Sequence, residues 1–234
     1  MSEYKRVLLK LSGEALAGEK KHGFDEATCM EVAGQVKAVV DKGLEVGIVI
    51  GGGNFWRGRT SENIDRTKAD QIGMLATVMN CIYTSEIFRS AGLDTIVFTP
   101  FSCGSMTKLF SKDAANEAFR QGKVVFFAGG TGHPYFSTDT GAALRAIEME
   151  ADAILLAKAI DGVYDSDPKV NKDAVKYDEL SIQEVLDQKL QVIDLTATIM
   201  CMENKVPLLV FALSEKDSIV NTLYGTFTGT KITV

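Results

Sequence analysis

Three short apolar runs in this chain each end in glycine: Val7-Leu8-Leu9-Lys10-Leu11-Ser12-Gly13, Ile48-Val49-Ile50-Gly51-Gly52-Gly53 and Val124-Val125-Phe126-Phe127-Ala128-Gly129-Gly130-Thr131-Gly132. Apolar runs of this length, stopped by turn residues, read as buried strands. Segments with a helical period lie between them. Asp25 can cap a helix whose apolar face runs Cys29, Ala33, Val36, Val40. Lys68–Ala91 carries the stripe Ile72, Leu75, Ala76, Met79, Ile82 and Tyr83 before Gly92 closes it. Strands are accordingly expected at Arg6–Leu11, Glu45–Ile50 and Lys123–Phe127, with others at Thr95–Thr99, Ala153–Ala157 and Val206–Phe211. Helices are expected at Lys112–Gln121, Asp139–Met149, Ser181–Gln188 and from Lys216 to about Tyr224, ahead of a Thr-rich tail. Such alternation predicts an α/β fold, a three-layer αβα sandwich around a mostly parallel central sheet. Ligands in that architecture sit beyond the carboxyl ends of the strands, where the glycine junctions fall.

A chain of 234 residues suffices for one large α/β domain or two small ones. No Pro/Gly/Ser linker divides it and no internal repeat is visible, so a single domain over 1–234 is expected, with two functional halves meeting around Gly130 to Asp152. The net charge of −6 argues against nonspecific nucleic-acid binding, while leaving room for a mononucleotide held by a few local cations. No apolar run approaches the roughly 18 residues of a membrane span. The start, Met1 to Arg6, runs into a strand pattern without a signal-peptide core. Cys29, Cys81, Cys103 and Cys201 are widely spaced, with no Cys-x-x-Cys, which disfavours structural zinc and a disulfide framework. The chain reads as cytoplasmic, with neither nucleic acid nor membrane among its partners.

The P-loop motif, the dinucleotide fingerprint Gly-x-Gly-x-x-Gly after a strand, and Gly-x-Ser-x-Gly are all absent, and only His22 and His133 are available for a triad. What remains are anion cradles with cations nearby. In Gly51-Gly52-Gly53-Asn54, with Arg57 beyond, backbone N–H groups can approach an anion unobstructed by any Cβ, and the arginine can add a planar fork of donors; a flexible turn is the plain alternative. Lys10, with Leu11, Ser12 and Gly13, can set a point charge and donors against a polyphosphate, or can be a solvent-facing strand end. Thr131-Gly132-His133-Pro134-Tyr135-Phe136-Ser137-Thr138 runs into a helix start that suits an anion or a base edge, although its aromatics can equally pin the loop. Asp161-Gly162-Val163-Tyr164-Asp165-Ser166-Asp167-Pro168 allows a metal site without EF-hand spacing, a nucleoside pocket with Tyr164 against the base and Asp167 near the ribose, or an acidic Asx turn. Asp139 and Asp194 can orient Lys10, reach a metal through water, or simply cap helices.

Taken in order, these segments resemble the bacterial uridylate (UMP) kinases of the amino-acid-kinase superfamily. The matching residues are Lys10 to Leu16, Gly51 to Asn54 with Arg57-Gly58, Asp70 before Gly73-Met74-Leu75-Ala76-Thr77-Val78-Met79-Asn80, Thr131-Gly132 with Pro134 and Phe136 to Asp139, Asp161 to Tyr164 with Asp167-Pro168, and Asp194-Leu195-Thr196. The resemblance implies transfer of the γ-phosphoryl of ATP to UMP, with Mg²⁺ carried mainly by the nucleotide phosphates. Lys10, Leu11, Ser12, Gly13, Gly53 and Arg57 would hold the ATP phosphates, and Tyr164 and Asp167 the adenosine end. Gly52, Asp70, Thr131, Gly132, His133, Pro134, Tyr135, Phe136, Ser137 and Thr138 would bind UMP. The catalytic set would be Lys10, Arg57, Asp139 and Asp194. The N-terminal half would serve mainly the acceptor and the phosphates, the C-terminal half the ATP nucleoside. A homohexamer, a step in pyrimidine nucleotide synthesis, inhibition by UTP and activation by GTP near Glu19–Gly23 are implied as well. His133 stands where the family commonly has Asn, and Ala157-Lys158-Ala159-Ile160-Asp161 departs from the family's polar form. Rival readings are a related kinase acting on aspartate or acetylglutamate, and a catalytically idle nucleotide sensor.

Overall fold

The computed structural model describes residues 4–56 and 63–234. In chain order the elements are β1 (Arg6–Leu11), α1 (Gly13–Leu16), α2 (Glu26–Val40), β2 (Glu45–Ile50), α3 (Arg66–Ser90), β3 (Thr95–Thr99), β4 (Lys108–Leu109), α4 (Lys112–Arg120), β5 (Val124–Phe127), α5 (Thr138–Glu148), β6 (Ala153–Lys158), β7 (Val163–Tyr164), β8 (Lys176–Tyr177), β9 (Glu179–Ser181), α6 (Ile182–Asp187), α7 (Leu195–Glu203), β10 (Leu208–Ala212), α8 (Ser218–Tyr224) and β11 (Thr230–Thr233). Local chemistry starts most of the helices. Asp25, Asp65, Ser111, Ser137, Ser181 and Asp194 each stand at an N-cap and accept the backbone N–H three residues on. At Ser181 the Glu184 side chain returns the bond, completing a capping box.

Nine strands form one sheet in the order β4-β3-β5-β2-β1-β6-β10-β11-β9, and β7 pairs with β8 in a separate hairpin. Most neighbours are parallel; β11 runs antiparallel to β10. Helices cover both faces, the three-layer αβα arrangement that the alternating pattern predicts. Parity along β1 assigns the layers. Val7, Leu9 and Leu11 pack with Cys29 and Val36 of α2, Phe88 of α3 and Ile219 of α8. Leu8 faces the opposite layer, with Phe119 of α4, Ala143 of α5 and Ala197 of α7. Lys10 takes the last place on that second face, so the strand period aims it at the layer containing α5.

The long helix α3 departs from its expected pattern. The stripe Ile72, Leu75, Met79 and Ile82 lies at the surface, 37% to 54% exposed, while the face turned inward carries Ala69, Ala76, Thr77, Val78, Asn80, Cys81, Thr84, Ser85 and Phe88. Small and polar residues face inward because this helix runs beside the glycine junction, where side chains must be short and must hydrogen-bond backbone. The short strands β4, β7, β8 and β9, together with α7, lie outside the expected elements. Two- and three-residue strands have no period of their own and exist through their partners.

Candidate active site

β1 is flanked by β2 on one side and β6 on the other, so successive connections leave the sheet in opposite directions and open a crevice at the strand ends. A cavity of about 630 Å³ occupies this crevice. Its lining includes Lys10, Gly13, Gly51 to Gly53, Asp70, Asp139 and Asp194. A second cavity, about 460 Å³, lies beside the β7–β8 hairpin and is lined by Tyr164, Asp165, Asp167 and Gln188. Lys158, Gln191 and Val192 line both, so the two spaces adjoin.

Lys10 Nζ lies 2.8 Å from Asp139 Oδ1, with the two side chains 16% and 22% exposed. This pair sits at the start of α5, whose cap is Ser137, so Asp139 is left for the ammonium. Asp194 takes a different role. Its carboxylate caps α7 through the Ala197 N–H at 3.0 Å, accepts Thr140 Oγ1 at 3.0 Å and accepts a short bond from Ser137 Oγ. One carboxylate thereby ties the N-termini of α5 and α7 together at the cavity wall, both presenting the positive end of a helix dipole. Burial alone would raise the Asp194 carboxyl, but the donors Ser137, Ala197, Thr140 and Thr196 together hold it below its usual 3.8. Its ionised form therefore adds stability above the unfolded-state pKa, and that contribution disappears as pH falls through the lower folded-state value. Relative to Asp194→Asn, the wild type should be more stable near neutral pH, with the difference shrinking below about pH 4. Urea melts across that range measure it, and a difference constant with pH would refute it.

Buried amides hold the triglycine junction against α3. Asn80 Nδ2 donates to Gly51 O at 2.7 Å and to Asn54 Oδ1 at 2.8 Å, while Asn54 Nδ2 donates to Gly23 O at 2.7 Å and to Asn80 Oδ1 at 3.0 Å. Both residues are at most 1% exposed. The Thr77 hydroxyl accepts the Gly129 N–H at 2.8 Å, joining α3 to the third glycine junction. Buried polar groups this fully satisfied rigidify the backbone they hold.

The sequence-predicted residues thus divide. Lys10, Ser12, Gly13, Gly52, Gly53, Asp70, Thr131, His133, Phe136, Ser137, Thr138, Asp139 and Asp194 line the first cavity. Tyr164 and Asp167 line the second. Leu11 points into the apolar core on the far face of the sheet, and Tyr135 stands out in solvent, 66% exposed. Neither Leu11, Gly132, Pro134 nor Tyr135 is among the lining residues. Arg57 falls outside the described residues. In the acidic turn, Asp167 accepts the Lys169 N–H at 2.9 Å, an Asx turn, while Tyr164 Oη donates to Asp161 at 2.8 Å.

Lys158 is one residue that sequence reasoning missed. Leu156 is the register partner of Lys10, and Lys158 lies two places further along β6, hence on the same face of the sheet. Its ammonium makes a short bond to the Val192 carbonyl. Burial lowers its pKa; the nearby Asp139 carboxylate opposes that shift and Lys10 adds to it. The signal lay in the register between β1 and β6, which the sequence does not display.

A model of the amino acid kinase family matches residues 5–212. Among solved structures the chain is similar to UMP kinase from Bacillus anthracis, at 38% identity and a TM-score of 0.94, covering 98% of this chain and 96% of that one. It is similar to UMP kinase from Ureaplasma parvum at 36% identity and a TM-score of 0.94, covering 98% and 99%. Similarity extends to uridylate kinase from Archaeoglobus fulgidus at 28% identity and a TM-score of 0.75, covering 99% and 100%.

Proposed function

This chain belongs to the amino acid kinase family, and from that premise we propose that it transfers the γ-phosphoryl of ATP to UMP, giving ADP and UDP. The observation that carries the reading is the pair of adjoining cavities, with Lys10 in the larger and the aromatic, acidic turn beside the smaller. Two nucleotides laid end to end would place their phosphates at the glycine junctions and Lys10. The UMP loop would be Thr131–Thr138 with Asp70 and Gly52; the adenosine end would lie against Tyr164 and Asp167.

The acceptor phosphate has a second pKa of about 6, so at neutral pH it is mostly a dianion already and needs no base. The chemical difficulty is repulsion between polyanions and alignment of the attacking oxygen. Lys10 supplies a fixed positive charge, and Asp139 holds it in place. The glycine N–H groups and the N-termini of α5 and α7 add partial positive charge without having to reorganise. Arg57 would add a further cation to the same phosphates.

Magnesium fits this donor set as a guest of the phosphates. A hard cation of this kind keeps several waters and takes few protein ligands. Among the described residues no three His, Cys, Asp or Glu side chains converge into a metal cage. Asp139 and Asp194 are the carboxylates lining the cavity beside Lys10 that would face such an ion. When bound, Mg²⁺ neutralises charge on the β- and γ-phosphoryl oxygens.

The reading extends to assembly and control. The exposed apolar stripe Ile72, Leu75, Met79 and Ile82 on α3 supports self-association, and we propose the homohexamer. UTP is proposed to inhibit, GTP to activate through the loop Glu19–Gly23, and the reaction to serve pyrimidine nucleotide synthesis in the cytoplasm. No helix among the described residues is long and apolar enough to cross a membrane.

A coupled ADP-release assay on the pure protein tests the proposal, with UMP, CMP, dUMP, aspartate and acetylglutamate as acceptors. The expected result is ADP release that depends on UMP. Turnover of aspartate or acetylglutamate in its place, or binding of UMP without turnover, would point to a carboxylate kinase or to a nucleotide sensor.

A further inference from the structure

Arg66 is the first residue of α3, where a cation opposes the helix dipole, and it precedes its acidic partner Asp70 by four residues, the weaker order for such a pair. Local helix stability therefore does not account for it. Its tertiary surroundings do. Arg66 Nε donates to Asp70 Oδ2 at 2.8 Å, and the guanidinium carbon sits 5.3 Å from the centre of the Tyr135 ring. The Tyr135 N–H donates to that same Asp70 oxygen at 2.8 Å.

Tyr135 has φ of 72°, in the left-handed region, within a loop whose other left-handed residues, Gly129, Gly130 and Gly132, are glycines. A tyrosine in that conformation is strained and needs outside help to stay there. The Asp70 carboxylate supplies that help, sixty-five residues away in sequence. Asp70 is itself only 14% exposed in its side chain and is held in place by Arg66. Its second oxygen has no partner among the described residues, and both Asp70 and Arg66 line the larger cavity.

We propose that Arg66 is a positioning residue for the acceptor nucleotide: it fixes Asp70, which latches the loop from Gly129 to Ser137 through the Tyr135 N–H and keeps one oxygen turned to the ligand. The proposal rests on the acceptor-side reading of this cavity given above. Arg66 acts through Asp70 and the loop, so its loss falls on the acceptor rather than on ATP.

The test combines steady-state kinetics with amide hydrogen exchange on wild type, Arg66→Gln, Arg66→Lys and Asp70→Ala. Arg66→Gln should raise the KM for UMP about tenfold, the size expected for one charged hydrogen bond, with kcat and the KM for ATP within about twofold. Arg66→Lys should recover part of the loss. Exchange of the Tyr135 amide, in the absence of nucleotide, should speed up about tenfold in Arg66→Gln and at least as much in Asp70→Ala. Unchanged exchange in Arg66→Gln overturns the latch, whatever KM does. A rise in the KM for ATP matching that for UMP overturns the acceptor-side role. Faster exchange in a protein whose wild type does not phosphorylate UMP keeps the latch and removes the proposed function.

Discussion

Lys10→Ala should lower kcat by about a thousandfold while leaving UMP affinity within a few-fold, because the charge it provides matters most where phosphoryl oxygens crowd together. The structure gives two reasons for a loss this large. Lys10 is mostly buried and lies 2.8 Å from Asp139, so its position is set before any ligand arrives. Removing it also takes the ion-pair partner from Asp139, whose carboxylate then repels the incoming phosphates. Lys10→Arg keeps the charge but replaces a point cation with a wider planar fork, so it should recover only part of the rate. Single-turnover phosphoryl transfer, measured beside equilibrium UMP binding, separates the two quantities. A fall in kcat of less than about tenfold together with collapsed UMP affinity would falsify the role given to Lys10.

Gly13→Ala should be strongly damaging although it adds only a single methyl group. A Cβ at this position would lie 2.3 Å from Asn54 Oδ1, 2.4 Å from the Gly51 carbonyl and 2.9 Å from Asn80 Nδ2. None of these can move cheaply. The Gly51 carbonyl belongs to the exit of β2, and its own N–H bonds Leu11 O at 3.0 Å. Asn54 and Asn80 are buried and engaged with each other. The methyl must therefore push the first two glycine junctions apart or break the amide pair, leaving buried polar groups unsatisfied. A destabilisation of about 3 kcal/mol follows, from overpacking plus lost hydrogen bonds. ATP binding should be lost with it, since the same backbone would hold the phosphates. Gly34→Ala is the matched control. Gly34 lies within α2 with nothing within 4 Å of the added atom, so this change should be stabilising by up to about 1 kcal/mol. Urea melts and ATP titration calorimetry on both variants check the pair of outcomes. Equal stability of the two variants would mean that the junction is looser than its contacts imply.

The larger strands and several helix starts were legible in the chain itself. Arg6–Leu11, Glu45–Ile50 and Thr95–Thr99 appear with the expected bounds, because an apolar run stopped by glycine or proline carries its own ends. Asp25, Ser137 and Ser181 cap helices from within three residues, and such bonds are local by nature. Strand alternation also placed Lys10 beside buried neighbours. Other features depend on what lies across from them. The α3 stripe Ile72, Leu75, Met79 and Ile82 has a core-like period but faces outward, since period alone does not say which face meets the sheet. Asp139 and Asp194 look alike in sequence, yet one holds Lys10 and the other joins two helix ends. Lys158 reaches the site only through the register of β6 on β1, and Arg66 reaches Tyr135 only through the fold of the loop.

From residue order alone, then, came the α/β alternation, the glycine junctions and the positions of some caps, because each depends on neighbours a few bonds away. Which charges meet at the crevice was decided by packing. Pairing between residues tens of positions apart is set by strand order and register, and those are properties of the assembled chain.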